Sequence, residues 1–452
     1  MPASVPGTVP AIPESSGVAA LLRYRWLIFA VLGLDGMLLF FQYVWGATLS
    51  EHHTISWGLD AGQLGLLAAL GNVPYALMQI PVGLMASRFG GRRLITLAMI
   101  ATAAGTALFA LAPTFGIALW ARLAIGLASA AILLPTLTVL ARWFRLREFA
   151  TIQGAYLLVA AVGSLVGTAP LAGAAERWTW RPPMLAAAVA TLLGAGLTWW
   201  LVRDTPAELG MPSIASIDPD VSTDPADDVQ ITVREAFHRW RTTPTFWVTA
   251  VIMFASWGAL QSFQGLWVGP MLRHVRGFSA AEVGLAVSMF TLGIGFGPLI
   301  FGWLSDRVFR VRRPIAIAAL ISQTLLWAVV AFTTEWLPAP LIYLAFLGIA
   351  SLSGGVVLAQ VLVKEQTTPH EFSMIFGIIN GAPFYGTALI QLLIGGMLTA
   401  IGPVAITDEP IYGARAYTVA LLPVIVLLII VTGFAFRLRE TPRRESGHLP
   451  QA

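Results

Sequence analysis

The sequence contains no cysteine. Disulfide frameworks, thiol nucleophiles and cysteine-ligated metal centres are therefore excluded, and the redox compartment leaves no trace in the composition. A glycine-rich phosphate loop with its lysine is also missing, which argues against a nucleotide-driven pump. The six histidines are dispersed, and His52 and His53 are adjacent instead of four residues apart, so the pattern predicts no metal site. We expect no cofactor and no enzymatic activity.

Charge is also scarce in this chain. Charged residues make up 11% of the 452 residues, whereas 57% are hydrophobic, and the mean hydropathy is +0.77. A soluble domain could not hide that much apolar surface from water, so the composition predicts a protein embedded in lipid. The basic residues are scattered between apolar runs and form no cluster, which argues against nucleic acid as a partner.

Apolar runs recur along almost the whole chain, and each is about 20 residues long, the length that a helix needs to cross a bilayer. Charges, prolines and glycines bound twelve of them, in two series of six. The first series lies at about 25–47, 62–86, 94–112, 116–140, 150–173 and 183–202. The second lies at about 245–268, 283–304, 314–333, 340–363, 372–400 and 416–436. The pattern predicts an all-α membrane protein with twelve transmembrane helices.

The basic residues predict the orientation, because Lys and Arg near the ends of spans are retained in the cytoplasm. With twelve spans, most of the 27 basic residues lie on one side together with both chain ends, and few lie on the other, among them Arg177, Arg181 and Arg273. Both termini are therefore predicted to be cytoplasmic. Residues 1–22 lack the basic start of a signal peptide, so we expect a disordered tail at 1–24 and an uncleaved first helix.

Two six-helix bundles are expected, an N-terminal one over 25–202 and a C-terminal one over 245–437, followed by a cytoplasmic tail at 438–452. Residues 203–244 form a polar linker with an acidic stretch from Asp218 to Asp228. Residues 233–240 are typical of a short surface helix. A simple tether explains the linker, and a regulatory role is the alternative.

The two series of segments resemble each other at an offset of about 220 residues, as expected when both halves derive from one six-helix unit. Residues 41–45 (Phe-Gln-Tyr-Val-Trp) correspond to 263–267 (Phe-Gln-Gly-Leu-Trp), and Gly65 corresponds to Gly284. At the same distance further along, the stretch that begins at Gly83 corresponds to the one that begins at Gly302. The repeat predicts pseudo-symmetric bundles.

The stretches that begin at Gly83 and Gly302 each continue with arginines, and Asp306 precedes Arg307 in the second. This pattern resembles the signature of the major facilitator superfamily, and the resemblance covers all twelve segments. Arg122-Leu-Ala-Ile-Gly126 is similar to a second signature of the family. The resemblance implies conformational gating by residues of these motifs: Gly83, Arg88, Arg92, Gly126, Gly302, Asp306 and Arg307. The first copy departs from the family at its acidic position, where Ser87 stands.

Further residues resemble the organic-anion and sugar-phosphate branch of that superfamily, namely Pro135, 142–144 (Arg-Trp-Phe), 147–148 (Arg-Glu) and 204–210. The family resemblance also implies a substrate site near the bilayer midplane, between the halves. Spans five, eight and eleven form the seam between the halves in this family, and their glycines, among them Gly163, Gly293 and Gly386, would allow close approach there. Plain tight packing within a bundle is the alternative for those glycines.

Two charged residues lie inside the predicted spans. Asp35 is ten residues into the first span, roughly 15 Å deep, and Arg122 lies in the fourth. Because a bare charge there costs at least about 2.5 kcal/mol, we expect Arg122 to reach Asp35. Asp35 is then the candidate proton-coupling carboxylate, with access to water that alternates between the faces. A permanent ion pair, or an Asp35 hydrogen-bonded to the backbone, is the alternative.

Arg122 has two possible roles, to bind an anionic substrate with its planar fork or to serve only the conformational cycle. No second buried arginine lies in the first or seventh span, which argues against a phosphate ester. The remaining substrate-binding candidates are uncharged, and each is alternatively a packing residue: Gln42, Tyr43, Gln261, Gln264, Trp267, Gln360, Asn380 and Tyr385. The pseudo-twofold axis would bring Gln42 and Gln264 to one cavity.

The sequence as a whole predicts a monomeric, multi-pass secondary transporter of a bacterial inner membrane. It would move a small polar organic molecule, either a weak anion or a neutral solute, by alternating access with protons as the coupling ion. The alternative within transport is an exporter of drugs or siderophores. From another class, the alternative is a membrane sensor that binds a solute without moving it.

Overall fold

The computed structural model describes residues 15–211, 240, 243–366, 369–407 and 409–440. Most of the predicted 1–24 tail, of the 203–244 linker and of the 438–452 tail lies outside the described residues. The predicted surface helix at 233–240 is outside them as well, apart from Trp240, which is buried. For a few residues inside helices, among them Gly83 and Ser87, the structure describes only the backbone.

The described chain is almost entirely helical. The N-terminal helices are α1 (Ser15–Thr48), α2 (Ser50–Trp57), α3 (Ala61–Phe89), α4 (Gly91–Leu111), α5 (Phe115–Trp143), α6 (Leu146–Val166), α7 (Ala169–Trp178) and α8 (Arg181–Leu201). The C-terminal helices are α9 (Pro244–Arg276), α10 (Ala280–Trp303), α11 (Arg313–Thr333), α12 (Ala339–Glu365), α13 (Pro369–Ile401) and α14 (Ala414–Ala435). Between α13 and α14, β1 (Ala405–Ile406) pairs antiparallel with β2 (Pro410–Ile411).

Eleven helices in the described part of the chain are long and apolar enough to cross a membrane, and α3 is a further helix of 29 residues. The predicted segments coincide with these helices because the same apolar runs, long enough to cross a bilayer, define the segments and form the helices. Three features differ from the prediction. The helix α1 begins at Ser15, inside the tail that was predicted to be disordered and before the predicted start at about residue 25. The fifth segment is divided into α6 and α7 at Gly167 and Thr168, and the polar helix α2 follows the first segment.

Local sequence signals set several helix starts. Asp60 and Gln63 form a capping box at the start of α3, in which Asp60 Oδ1 accepts a hydrogen bond from Gln63 N (2.8 Å). Ser279 and Glu282 form the same motif at the start of α10. Within α9, π-helical turns at Met253–Trp257 and Phe263–Trp267 interrupt the α-helical pattern. The second of these turns contains the repeat of residues 41–45.

An acidic residue after the last helix of each half caps an earlier helix of the same half. Asp204 Oδ1 accepts a hydrogen bond from the backbone N–H of Arg92 (2.7 Å) in the first turn of α4. In the same manner, Glu440 accepts from the backbone N–H groups of Arg312 (2.9 Å) and Arg313 (2.7 Å) at the start of α11. A carboxylate is stabilising at a helix N-terminus because unpaired N–H groups and the helix dipole meet it there. The repeat therefore includes this cap.

The N-terminal and C-terminal helices meet mainly through α3 and α13. We call the end of the molecule that carries α2 and the two strands the α2 end, and the opposite end, where α3 finishes, the Arg88 end. A Cβ atom on Gly65 would come within 2.7 Å of the Gln391 carbonyl oxygen, and one on Gly395 would overlap the Ala61 carbonyl. Glycine therefore allows the two backbones to touch. Among the described side chains, contacts between the two groups of helices lie between the α2 end and the level of Tyr75.

The glycines predicted to line the seam between the halves have other neighbours. Gly163 abuts the Met37 carbonyl of α1, Gly293 abuts the Leu347 carbonyl of α12, and Gly386 abuts the Phe254 carbonyl of α9. All three contacts lie within one group of helices, so the prediction was wrong for these glycines and the tight-packing alternative holds. The seam uses Gly65 and Gly395 instead, because α3 and α13 are the helices that meet there.

Candidate functional site

Arg122 is buried in α5, with 8% of the residue exposed. Its guanidinium carbon lies 4.5 Å from the centroid of the Trp45 ring. A Cβ atom on Gly71 would come within 2.6–2.7 Å of Nη2, Cζ and Nε of Arg122, and these similar distances place α3 over the face of the guanidinium plane. Trp45 and Gly71 thus form a guanidinium slot, in which a glycine is required because any side chain would occupy the position of the arginine.

The Arg122 guanidinium has no anionic partner among the described residues, and none of them accepts a hydrogen bond from it. Stacking on a desolvated tryptophan contributes about 2 kcal/mol. That contribution is smaller than the several kcal/mol that removing an ion from water costs. The slot therefore holds a cation whose N–H donors are unused, which is the chemistry of an anion-binding site.

Trp45 is itself held in place by hydrogen bonds. Its indole Nε1 donates to Gln42 Oε1 over 2.7 Å, and Gln42 Nε2 donates to Thr106 Oγ1 over 3.1 Å. Gln42 is 3% exposed and Trp45 1% exposed, so both lie inside the N-terminal helices. The sequence indicated Gln42 as a substrate ligand, but the structure places its amide between Trp45 and Thr106.

His53 of α2 lies at the centre of an aromatic cluster next to the slot. Its ring stacks on Trp57, with centroids 5.6 Å apart, and meets the rings of Trp45, Phe109 and Trp180 edge-on at 5.6, 5.2 and 4.9 Å. Burial lowers the pKa of His53 well below its usual value, and the positive charge of Arg122 lowers the pKa further. The imidazole is therefore neutral at physiological pH, and the cations beside this cluster are Arg122, over Trp45, and Arg181, over Trp180.

Polar and aromatic side chains join the two groups of helices within one helical turn of Gly71. The Tyr75 ring of α3 lies 4.5 Å from the Phe384 ring of α13, and Tyr43 of α1 lies 5.7 Å from Tyr75. Asn72 Nδ2 donates to Gln391 Oε1 over 3.1 Å. Of these residues, sequence analysis singled out only Tyr43. The five side chains close the space between the halves on the Arg88 side of the guanidinium slot.

Asp35 is fully buried, but it does not contact Arg122. Its Oδ2 accepts a hydrogen bond from Thr198 Oγ1 of α8, and Oδ1 has no hydrogen-bond partner. The predicted contact between Asp35 and Arg122 was wrong, because Arg122 stacks on Trp45, ten residues and roughly 15 Å further along α1. Asp35 faces α8 instead, where a Cβ atom on Gly194 would lie 3.3 Å from Oδ1.

The other substrate-binding candidates lie on the C-terminal helices. Gln264 is buried and donates to Thr291 Oγ1 of α10 over 3.2 Å. Trp267 is buried and lines an open recess of about 330 Å³ at the α2 end. The remaining candidates have more accessible surface, since Tyr385 is exposed and three others are half-buried: Gln261, Gln360 and Asn380. Contact of these residues with a substrate stays a prediction.

The gating candidates of the first signature lie at the Arg88 end. Arg88 is exposed with its guanidinium over Phe89, whereas Arg92 stacks on Trp199 and donates from Nε to the Trp199 carbonyl. The surroundings of Gly83 lie outside the described residues. A Cβ atom on Gly126 would come within 2.7 Å of the Gly71 carbonyl oxygen, so Gly126 allows α5 to pack against α3 behind the guanidinium slot.

The second signature copy keeps its acidic residue in a local contact. Arg312 Nη2 donates to Asp306 Oδ1 over 3.1 Å, and Arg312 also pairs with Glu365. Arg307 is exposed, and Gly302 has open space where a side chain would be. The predicted gating roles of these residues stay predictions. No cluster of histidine and carboxylate side chains in the described ranges has the size of a metal site.

Sequence reasoning missed most of the slot and the contacts around it. Gly71 gives no signal in a chain with 43 glycines, because only the position of the neighbouring helix makes it necessary. Asn72 and Gln391 are polar residues inside apolar segments, and this property was a signal that could have identified them.

The fold is that of known membrane transporters. A solved structure of a bacterial homolog to the human lysosomal transporter Spinster, in an inward-facing and unoccupied conformation, superposes with a TM-score of 0.71 at 19% sequence identity. The match covers 92% of this chain and 97% of that one.

Several curated proteins are similar to the chain in sequence. A probable hexose phosphate transport protein of Chlamydia trachomatis is 23% identical, over 74% of this chain and 77% of its own. The membrane sensor protein UhpC of Escherichia coli is 25% identical over 60% and 63%, and the gallate transporter of Pseudomonas putida is 24% identical over 93% and 94%.

The family model described as Major Facilitator Superfamily matches residues 25–275 and 259–451, which together cover most of the sequence. The similarity at Gly83 and Gly302, the repeated caps and the helical architecture agree with that match. The chain therefore belongs to the Major Facilitator Superfamily.

Proposed function

We propose that the chain is a monomeric secondary active transporter that moves a small organic anion across a bacterial inner membrane. Transport would proceed by alternating access and be coupled to protons. The proposal rests on one observation above the others: Arg122 is buried, its charge has no partner among the described residues, and Trp45 and Gly71 hold its guanidinium in a fixed slot. An anion at the slot would supply the missing negative charge and accept the unused N–H donors.

The contacts between the two groups of helices support alternating access. In the described part of the chain they lie between the α2 end and Tyr75, so α3 and α13 close one end of the space between the groups. Twelve spans in two six-helix bundles, with both termini in the cytoplasm, would place the α2 end outside the cell. The conformation then has its closed end outside, and a rocking motion that separates Gly65 from Gln391 would open it.

The related transporters support an anion as the cargo. Hexose phosphates and gallate, which the names of two relatives mention, are both anionic at neutral pH. The slot has a single guanidinium, which suits one carboxylate better than a dianionic phosphate ester. A carboxylate is therefore the preferred cargo, and the alternative of a drug or siderophore exporter has no comparable support.

Asp35 is the proposed proton-coupling residue. It is a fully buried carboxyl group whose Oδ1 has no hydrogen-bond partner, and it lies on the same helix as Trp45. A movement of α1 would connect the state of Asp35 to that of the slot without direct contact between Asp35 and Arg122. Proton flux and uptake in an Asp35→Asn variant test this role, because a substrate-driven proton flux of normal size would rule it out.

Uptake into proteoliposomes tests the function itself. Labelled gallate and labelled glucose 6-phosphate would be presented to the reconstituted protein with an imposed proton gradient. We expect uptake of a carboxylate that is lost in Arg122→Ala and reduced at least tenfold in Arg122→Lys, because lysine lacks the planar fork. Arg177→Ala is the matched control, since Arg177 is an exposed arginine of α7. Equal uptake by all four proteins would refute an anion site at Arg122.

A membrane sensor is the second candidate, and the similarity to UhpC favours it. A sensor would bind the anion at the same slot without moving it. Anion-dependent thermal stabilisation that Arg122→Ala removes, in a protein that accumulates no solute in proteoliposomes, would select the sensor.

A further inference from the structure

We propose that Gln42 is a positioning residue for Arg122, which it controls through the indole of Trp45. This inference rests on the proposed function, in which Arg122 binds the anion. Gln42 would not touch the cargo. Its role would be to fix the ring on which the guanidinium lies, so that the donors of Arg122 point to one place whether or not an anion is present.

The series of hydrogen bonds begins at Thr106, whose hydroxyl hydrogen is already used in a bond within its own helix. Thr106 Oγ1 donates to the Thr102 carbonyl oxygen over 2.8 Å, so it can only accept from Gln42 Nε2, which lies 3.1 Å away. That bond fixes which end of the Gln42 amide carries the oxygen. The oxygen then accepts the N–H of Trp45 over 2.7 Å. Each bond in the series determines the next one.

Burial keeps the series of hydrogen bonds from Thr106 through Gln42 to Trp45 free of competition from water. The three residues are 0%, 3% and 1% exposed. An indole N–H is a donor that needs one acceptor. Losing that acceptor in the interior would leave a buried donor unpaired. The Trp45 ring is therefore kept in one orientation, and the Arg122 guanidinium 4.5 Å from its centroid is kept with it.

The second copy of the repeat provides a comparison within the same chain. Gln264 also donates to a threonine hydroxyl, Thr291 Oγ1 over 3.2 Å, although this threonine lies on α10, which corresponds to α3 and not to α4. Nε1 of Trp267, however, has no hydrogen-bond partner. No arginine of the described residues stacks on Trp267 either. The bond between glutamine and tryptophan thus occurs in the copy that holds an arginine, as a positioning role requires.

The experiment measures the slot without using transport. Phenylglyoxal modifies arginine side chains, and mass spectrometry of the peptide that contains Arg122 gives the rate of modification at this residue alone. In the reconstituted wild-type protein we expect slow modification, because the guanidinium lies between Trp45 and Gly71. Gln42→Met keeps the size of the side chain and removes both hydrogen bonds. We expect this substitution to raise the rate of Arg122 modification about fivefold, the factor that corresponds to the loss of one buried hydrogen bond.

A second variant keeps the test informative if Gln42→Met folds poorly. Trp45→Phe keeps an aromatic face and removes the N–H, so it breaks the same bond from the other side, and the double variant should be no faster than the faster single one. Thr191→Val is the control, because Thr191 is a buried threonine of α8 that bonds only to the Ala187 carbonyl of its own helix. Its rate should equal that of the wild type.

The two ideas fail in different ways. Unchanged modification of Arg122 in both Gln42→Met and Trp45→Phe would overturn the positioning role, whatever the protein transports. Additive effects of the two substitutions would overturn it as well, since they would not share one bond. Faster modification with unchanged uptake of labelled gallate and glucose 6-phosphate would leave Gln42 as the residue that positions Arg122 and would refute Arg122 as the anion site. Faster modification with a raised KM for gallate supports both.

Discussion

The side-chain amide of Asn72 donates a hydrogen bond to Oε1 of Gln391 over 3.1 Å, and this bond joins α3 to α13. It lies next to Gly71, whose backbone faces Arg122, and one turn from Tyr75, whose ring meets Phe384. A polar bond between the two groups of helices thus sits beside the proposed anion site. Closure of the α2 end and occupancy of the slot are therefore structurally adjacent.

Removing this bond should favour opening of the α2 end. Asn72→Ala removes the donor and leaves Gln391 without that partner, at a cost of about 1 kcal/mol to the closed state. The ratio of closed to open molecules should fall about fivefold. A single cysteine at Leu64, which lies at the buried seam, reports on opening through its rate of alkylation. An alkylation rate that does not change would show that Asn72 contributes nothing to closure.

A disulfide should hold the α2 end closed. The Cβ position of Gly62 lies 3.9 Å from Thr399 Cβ, within the range that disulfides need. Because the chain contains no cysteine, a Gly62→Cys/Thr399→Cys protein has no competing thiols. We expect rapid cross-linking, loss of uptake on oxidation and recovery on reduction. The pair Gly62→Cys/Ala400→Cys is the control, and fast cross-linking of the control alone would contradict the described seam.

Filling the guanidinium slot should abolish anion binding and leave the fold largely intact. Gly71→Ala places a methyl group within 2.6 Å of Arg122 Nη2, so the guanidinium must move out of the slot. Overpacking of this kind costs about 1–3 kcal/mol. We expect at least a tenfold loss of gallate uptake with the protein still monodisperse. Gly196→Ala, with open space around it, is the matched control and should transport normally.

The cap on α4 should stabilise the Arg88 end. Asp204→Ala removes the carboxylate that accepts from Arg92 N, which costs about 1 kcal/mol and should lower the melting temperature by a few degrees. Glu208→Ala removes an exposed carboxylate from the same loop and should leave the melting temperature unchanged. Equal melting temperatures for the two variants would mean that the cap contributes no stability.

Acid should weaken the fold at His53. Burial, and then Arg122, lower the pKa of this histidine in the folded state below its ordinary value of about 6.5, so below that pH the unfolded chain binds more protons. Well above pH 6.5 the unfolded chain binds no extra proton at this histidine, and the loss of stability grows as the pH falls through 6.5. Melting temperatures at pH 7.5 and 5.5 should differ less in His53→Phe than in the wild type, and equal differences would contradict a neutral buried His53.

Hydropathy predicted the helices because a helix that crosses lipid needs an apolar run as long as the bilayer core is thick. The site was harder, since residue counting gives depth along a helix but not the face on which a side chain lies. Asp35 and Arg122 were predicted to pair for this reason, yet Asp35 faces Thr198 and Arg122 faces Trp45. Gln42 was predicted to contact the substrate, and its bond to Thr106 could not be foreseen because it depends on how α1 and α4 pack.

The seam at Gly65 and Gly395 has a mechanical consequence. Backbone lies against backbone there, so the resistance to parting at these two glycines is mostly lost dispersion attraction, while hydrogen bonds such as Asn72–Gln391 resist parting elsewhere along the same helices. The strength of this contact depends on how closely the two main chains approach each other. One added methyl group at either glycine would hold the two helices apart at the α2 end.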